Sequence, residues 1–264
     1  MRILLTNDDG MDAEGIEALI AELSPAHEVV IAAPDKEQSG MSHAITVGTR
    51  ISAEHDTEME ARFPVTAFRI GGTPADCVKL YLEWLIEGGD MPDCVLSGIN
   101  RGANLGTDVL YSGTVHAAME AFLHGLPSLA ISLDKHSEIS YQEVAQFMHQ
   151  HFLQKNFWAE GQPCFLNVNF PRAYRNGQAH MHVTRLGNRN YSNDFQREVA
   201  KDGKVWYRMA GEIVDETHGT CYDIAAVKAG EISVTPLQTD LTDVASWQRL
   251  QESCATDFTF CMKS

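Results

Sequence analysis

Short apolar strands alternate with helical patterns over about the first 170 residues, and this alternation limits the folds open to the chain. The predicted strands are residues 2–6, 29–33, 65–71, 93–97, 128–133 and 164–169. Helices are predicted around 16–23, where apolar residues share one face, from Thr73, a typical N-cap that is followed by proline, and at 114–124 and 141–153. Residues 44–51 are predicted to be extended. Elements in this order form a mostly parallel sheet with helices on both faces. We therefore predict an α/β fold with a doubly wound sheet.

The pattern changes in the last third of the chain. Short extended pieces at 182–186 and 204–209 are separated by glycine, asparagine and charged residues, and residues 231–236 form one more predicted strand. We predict a catalytic core at residues 1–175 and a hairpin-rich C-terminal extension at 176–264, part of which returns to the core. Because isolated hairpins bury little of their own surface, we expect this extension to serve oligomerisation.

Composition excludes several classes of partner. The chain has 36 acidic and 20 basic residues, a formal net charge of −16, which argues against a nucleic-acid polymer as partner. A predicted strand opens the chain and no apolar run approaches membrane-spanning length, so we expect no leader and no membrane contact. None of the six cysteines forms a Cys-x-x-Cys pair, which favours reduced thiols in a cytoplasmic protein.

Polar loops follow three of the predicted strands. Asp8 and Asp9 come directly after the first strand, a second loop contains Ser39, and a third contains Asn100 and Asn104. Ligands of parallel sheets bind beyond the carboxyl ends of the strands, where these loops lie. Carboxylate, hydroxyl and amide oxygens suit magnesium, manganese or calcium better than zinc. Each residue also has a simpler interpretation, as a solvated turn or as a side chain that bonds its own loop.

A helix start follows the third loop. Ser112, Gly113 and Thr114 would present unpaired amides and hydroxyls there, which is a natural seat for a phosphate group, although Ser112 or Thr114 could equally serve only as the N-cap. A cation beside such a seat is the apparatus of phosphate-ester hydrolysis. His43 is a candidate proton donor to the leaving group, with a surface histidine as the alternative.

Eight segments, in order along the chain, resemble the SurE survival-protein family. They are residues 3–10 (ILLTNDDG), 34–40, 72–78 (GTPADCV), 97–106 (SGINRGANLG), 111–120, 165–171 (FLNVNFP), 223–227 and 232–237. The resemblance implies a Rossmann-like core and a metal-dependent 5′-nucleotidase that hydrolyses nucleoside monophosphates, with 3′-nucleotides and short polyphosphate as further candidate substrates. It also implies hairpin exchange between subunits, which predicts a homodimer or homotetramer.

The resemblance also assigns roles to individual residues. It implies one divalent cation per subunit, magnesium or manganese, held by Asp8, Asp9, Ser39 and Asn100. It places the substrate phosphate on Asn104 and on the turn formed by residues 112–114. The alternative hypothesis is a non-catalytic, nucleotide-binding regulatory protein, which would bind nucleotide without turnover. Tyr191, Trp206 and Tyr207 are candidates for base stacking, although packing within the hairpins is the preferred interpretation.

Overall fold

One large sheet organises the protein. The structure, a computed structural model, describes residues 1–86, 89–154, 163–192, 195–215 and 219–257. The strands are β1 (Arg2–Thr6), β2 (Glu28–Pro34), β3 (Ala53–His55), β4 (Thr66–Ile70), β5 (Cys94–Arg101), β6 (Ser128–Leu133), β7 (Phe165–Phe170), β8 (Met181–Val183), β9 (Arg189–Tyr191), β10 (Phe195–Val199), β11 (Val205–Met209), β12 (Ile213–Asp215) and β13 (Ile232–Leu237). The helices are α1 (Glu14–Leu23), α2 (Thr57–Arg62), α3 (Pro74–Leu80), α4 (Gly113–Leu123), α5 (Tyr141–Met148), α6 (Asp223–Lys228) and α7 (Val244–Asp257).

The sheet has the strand order β3-β4-β2-β1-β5-β6-β7-β13-β8. Six neighbouring strands run parallel to one another: β4, β2, β1, β5, β6 and β7. Strand β3 is antiparallel to its neighbour β4, and β13 is antiparallel to its neighbour β7. The predicted mostly parallel α/β fold is therefore confirmed. Strands β8 and β13, from the last third of the chain, lie in this sheet beside the core strands.

Both faces of the sheet are buried beneath helices. Along β1, Ile3 and Leu5 point into a core cluster shared with α1 and α5, while Leu4 points into a second cluster shared with α3 and α4. Burial on both sides explains why β1 is a continuous apolar run rather than an alternating one. The helix predicted from Thr73 is confirmed as α3, where Thr73 and Asp76 form a capping box.

Several boundaries differ from the prediction. Residues 44–51 form no strand, and the edge strand β3 begins only at Ala53. The predicted helix 141–153 is α5 followed by a wider helical turn to Leu153. Helices α2, α6 and α7 were not predicted, because each is short or carries a weak apolar pattern.

The last third of the chain also forms two small two-stranded sheets. Strand β10 pairs with β11, and β12 pairs with β9, both antiparallel. Throughout the described ranges, no helix has the length and apolar character needed to cross a bilayer.

Candidate active site

A cleft of about 740 Å³ opens where β1 and β5 end. It is lined by six of the residues predicted to bind the metal or the phosphate: Asp8, Asp9, Ser39, Asn100, Asn104 and Ser112. The volume falls within the range of about 300–1,000 Å³ that is usual for small-molecule sites. Gly113 and Thr114 do not line the cleft, but both lie against Asp8, which does. His43 is not part of the lining.

The first loop is a turn that also presents both carboxylates. The Asn7 side chain donates to the Gly10 carbonyl at 2.8 Å and accepts from the Gly10 amide at 3.2 Å. Gly10 has a φ of +100°, a conformation that a residue with a side chain rarely adopts. The turn interpretation and the ligand interpretation of this motif are therefore compatible, since the turn aims Asp8 and Asp9 at the cleft.

Asp8 is buried against the start of α4. Its carboxylate accepts a hydrogen bond from the Thr114 hydroxyl, and a Cβ added at Gly113 would lie 2.9 Å from the Asp8 Cβ. Glycine at 113 thus allows the carboxylate to approach the helix end. Burial raises the pKa of Asp8 to about 6, the Asp9 charge adds to this, and the Thr114 hydrogen bonds only partly offset it. At pH 7 this carboxylate is mostly ionised, and its buried charge lowers the stability of the folded protein.

Asp9 is half-buried at the mouth of the same cleft. The Arg101 amide donates to its carboxylate at 3.2 Å. Burial raises the pKa of Asp9, and the neighbouring Glu37 charge raises it further, while the Arg101 bond acts in the opposite direction. Two adjacent carboxylates with raised pKa values need positive charge nearby in order to ionise together.

The second loop is tied to the first and to the start of α4. The Gln38 amide donates to the Asp8 carbonyl at 2.7 Å, and the Ser42 amide donates to the Tyr111 carbonyl at 3.0 Å. Between these anchors, the Ser39 hydroxyl donates to Glu37 Oε1 at 2.6 Å. A hydroxyl that binds a cation through its oxygen still needs an acceptor for its proton, and Glu37 supplies one.

The hydrogen-bonded pairing of β5 with β6 becomes irregular near the cleft. Its register with β6 shifts between Ser97 and Asn100, and Gly98 has a φ of +135°. A Cβ at Gly98 would lie 2.3 Å from the Ile131 carbonyl oxygen, so only glycine fits there. Such irregularities re-aim side chains beside active sites. The Asn100 side-chain nitrogen donates to the Gly102 carbonyl at 2.7 Å, which leaves its oxygen as the atom that can bind a ligand.

Buried polar residues that the sequence analysis did not assign hold Asn104. The Asn104 amide donates to Asn169 Oδ1 at 2.7 Å, and the Asn167 side chain donates to the Asn104 carbonyl at 2.8 Å. The Asn104 side chain also donates to Ser132 Oγ at 2.9 Å. Asn167 and Asn169 are fully buried in β7. Their position in an otherwise apolar strand was the available signal, because buried polar groups require partners.

The start of α4 combines two roles that the sequence left as alternatives. The Ser112 hydroxyl accepts from the Val115 amide at 3.1 Å, so Ser112 is the N-cap of the helix. The same residue lines the cleft. The first amides of a helix have no partner within the helix, and the helix dipole places partial positive charge there.

His43 contacts α4 rather than the cleft. Its Nε2 lies 2.8 Å from Glu120 Oε2, and Glu120 is buried. Burial favours the neutral form of Glu120, but the bonds from His43 and Lys79 outweigh this and hold the pKa of Glu120 below its usual range. The pair connects the loop that carries Ser39 to the helix that carries Ser112.

The donor set fits a hard divalent cation. Among the described residues that line the cleft, four carboxylates (Asp8, Asp9, Glu37 and Asp108) are accompanied by one guanidinium, that of Arg101. Within the described ranges, no three His, Cys, Asp or Glu side chains form a ready metal cluster. The predicted ligand set is of another kind, because half of it consists of serine and asparagine oxygens. Oxygen ligands alone, around a buried carboxylate whose negative charge is only partly offset by hydrogen bonds, suit magnesium or manganese.

Comparison with known proteins identifies the family. Residues 3–193 match the family model for survival protein SurE. A protein named 5′-nucleotidase SurE from Synechococcus sp. (strain JA-3-3Ab) is 41% identical, covering 98% of this chain and 100% of its own length. A protein of the same name from Desulforamulus reducens is 44% identical, covering 95% and 97% of the two chains. The crystal structure of the SurE protein from Aquifex aeolicus superposes with a TM-score of 0.77 at 36% identity, covering 96% of this chain and 99% of that one. The chain therefore belongs to the SurE survival-protein family.

Proposed function

We propose that this protein is a 5′-nucleotidase that hydrolyses nucleoside monophosphates to nucleoside and inorganic phosphate. The observation that carries the proposal is the meeting, in one cleft, of oxygen donors from three separate loops with the N-terminus of α4. Relatives of more than 40% identity that bear the name 5′-nucleotidase SurE support it. Hydrolysis of 3′-nucleotides and short polyphosphate is a further candidate activity of the same site.

Asp8, Asp9, Ser39 and Asn100 would hold one divalent cation, magnesium or manganese. Such a cation supplies the positive charge that offsets negative charge building up on the phosphoryl oxygens. Glu37 would accept the Ser39 proton, and the Thr114 hydroxyl would keep the Asp8 carboxylate oriented.

The phosphate group would rest on Asn104 and on residues 112–114. The amides at the start of α4 and the Ser112 hydroxyl can donate to phosphate oxygens, as helix N-termini commonly do. Asn104 is rigidly placed by Asn167 and Asn169, so it can orient the phosphate without reorganising.

His43 is a candidate proton donor to the leaving nucleoside, with a surface histidine as the alternative, and nothing in the structure tests this role. The geometry favours a positioning role, because the ring bonds Glu120 and does not line the cleft. In that role His43 would hold the Ser39 loop against α4.

The assembly and the compartment are also proposals. We propose a homodimer or homotetramer that forms through the C-terminal extension, where large apolar side chains are exposed: Phe195, Val199, Trp206, Trp247 and Leu250. A cytoplasmic location agrees with the free thiols at Cys77, Cys94, Cys164 and Cys221.

A phosphate-release assay tests the function. Nucleoside monophosphates are incubated with the purified protein and magnesium or manganese, and in parallel with a chelator. We expect cation-dependent release that Asp9→Asn lowers at least about 100-fold, while Asp12→Asn, a change outside the cleft, retains activity. Nucleotide binding without phosphate release under every cation would instead support the regulatory alternative.

A further inference from the structure

We propose that Tyr111, Tyr191 and Met209 form a nucleoside-binding subsite in the exposed part of the cleft, where the base of the substrate stacks. The proposal rests on the proposed nucleotidase function and adds what selects a nucleotide over other phosphate esters. These three residues line the same cleft as the oxygen donors, and they are its largest apolar side chains. The cleft therefore combines buried polar groups, such as Asp8 and Ser112, with exposed aromatic rings, and this combination matches the two halves of a nucleotide.

Tyr111 is placed by its position in the chain. It immediately precedes Ser112, so its ring starts next to the proposed phosphate seat. Its backbone is fixed on both sides, since its amide donates to the Asp108 carbonyl at 2.9 Å and its carbonyl accepts from the Ser42 amide at 3.0 Å. The side chain is nevertheless 64% exposed. A large ring on a rigid backbone beside a phosphate site is a suitable stacking surface.

Tyr191 reaches the cleft from another part of the chain. It belongs to β9, yet its hydroxyl donates to the Asp108 carboxylate, with oxygen distances of 2.8 and 2.9 Å. Arg189 fixes that carboxylate further, because its guanidinium reaches Asp108 at 3.3 Å and Asp215 at 2.8 Å. These bonds tether the end of the ring and leave its faces for a ligand.

Within the described part of the chain, neither the Tyr111 ring nor the Tyr191 ring packs against another aromatic ring. Met209, from β11, is 72% exposed and adds a polarizable side chain to the lining of the cleft. Trp206 and Tyr207, the other stacking candidates from the sequence, do not line the cleft.

Substrate discrimination tests the subsite. We compare kcat/KM for adenosine 5′-monophosphate with that for glycerol 2-phosphate, which offers the phosphate without a base. Tyr111→Ala and Tyr191→Ala should each lower kcat/KM for the nucleotide about tenfold or more, mainly through KM, and leave glycerol 2-phosphate unchanged. Tyr111→Phe keeps the ring and should behave as the wild type.

Tyr207→Ala is the matched control, because Tyr207 is also 64% exposed but lies outside the cleft. This variant should leave kcat/KM unchanged for both substrates. An equal loss of kcat/KM for both substrates in a folded Tyr111→Ala protein would show that the residue has only a structural role, and it would overturn the proposal. An unchanged kcat/KM for the nucleotide would also overturn it. If the wild type hydrolyses neither ester, the proposed function fails, and calorimetry with adenosine decides on the subsite. Binding that Tyr111→Ala abolishes and Tyr207→Ala retains would support it, and no binding by the wild type would overturn it.

Discussion

The substitution Asp8→Asn should stabilise the cation-free protein while it abolishes the function of the site. Burial raises the pKa of Asp8 from its usual 3.8 to about 6, so the folded protein binds this proton more tightly than the unfolded chain does. A shift of about two pKa units corresponds to about 3 kcal/mol. This cost to the free energy of unfolding is absent below about pH 4, grows as the pH rises, and is complete above about pH 7. Asparagine carries no charge and retains an oxygen that can accept from Thr114, so it should escape the cost.

Urea unfolding in the presence of a chelator measures the effect. At pH 7.5 we expect the free energy of unfolding of Asp8→Asn to exceed that of the wild type by up to about 3 kcal/mol, and the difference to fall below about 1 kcal/mol near pH 4. With manganese at about 100 times its Kd, the wild type should gain about 2.7 kcal/mol and the variant nothing.

Asp12→Asn is the control for the loss of a nearby carboxylate. The Arg69 guanidinium donates to Asp12 at 2.7 and 2.9 Å and holds the pKa of Asp12 below its usual range. Because Asp12 is exposed, its replacement should change stability by less than about 1 kcal/mol, in the destabilising direction. The reasoning is refuted if Asp8→Asn is no more stable than the wild type at pH 7.5, or if its gain is the same at pH 4.

Three further substitutions test the geometry of the site. Gly98→Ala should destabilise the protein by at least about 3 kcal/mol in urea unfolding, because its Cβ meets a carbonyl of β6, whereas Gly102→Ala, at a positive φ but in open space, should cost only about 1 kcal/mol. Gly113→Ala should push Asp8 away from α4 and lower kcat/KM at least about tenfold, and wild-type kinetics would show that the close approach is unimportant. His43→Gln should lower kcat less than about tenfold if the residue positions its loop, and a loss of 100-fold or more would assign it to proton transfer.

The fold was predictable because the pattern of strands and helices is local. The run 3–5 in β1 and the Thr73-Pro74 helix start each follow from a few adjacent residues, and the structure confirms the sheet and the helix. The cleft was predictable for a related reason, since loops at the carboxyl ends of neighbouring parallel strands share one edge of the sheet. Asp8, Ser39 and Asn100 line one cleft although 92 positions separate the first from the last.

The supporting residues were not predictable, because their partners are distant in sequence. Asn169 bonds Asn104 across 65 residues, and Glu120 bonds His43 across 77. No local pattern indicates which buried polar group meets which. The tyrosine on the cleft wall, Tyr191, could not be separated from its hairpin neighbours for the same reason, since its link to Asp108 spans 83 residues.

A crystal of the protein grown with manganese tests the central claim most directly. The anomalous signal of manganese locates the ion independently of any activity. Our account predicts one peak per subunit, in the cleft at the ends of β1 and β5, with oxygens of Asp8, Asp9, Ser39 and Asn100 at ligand distance. A manganese peak at another site would contradict it. So would the absence of a peak in this cleft when the protein in solution is saturated with manganese.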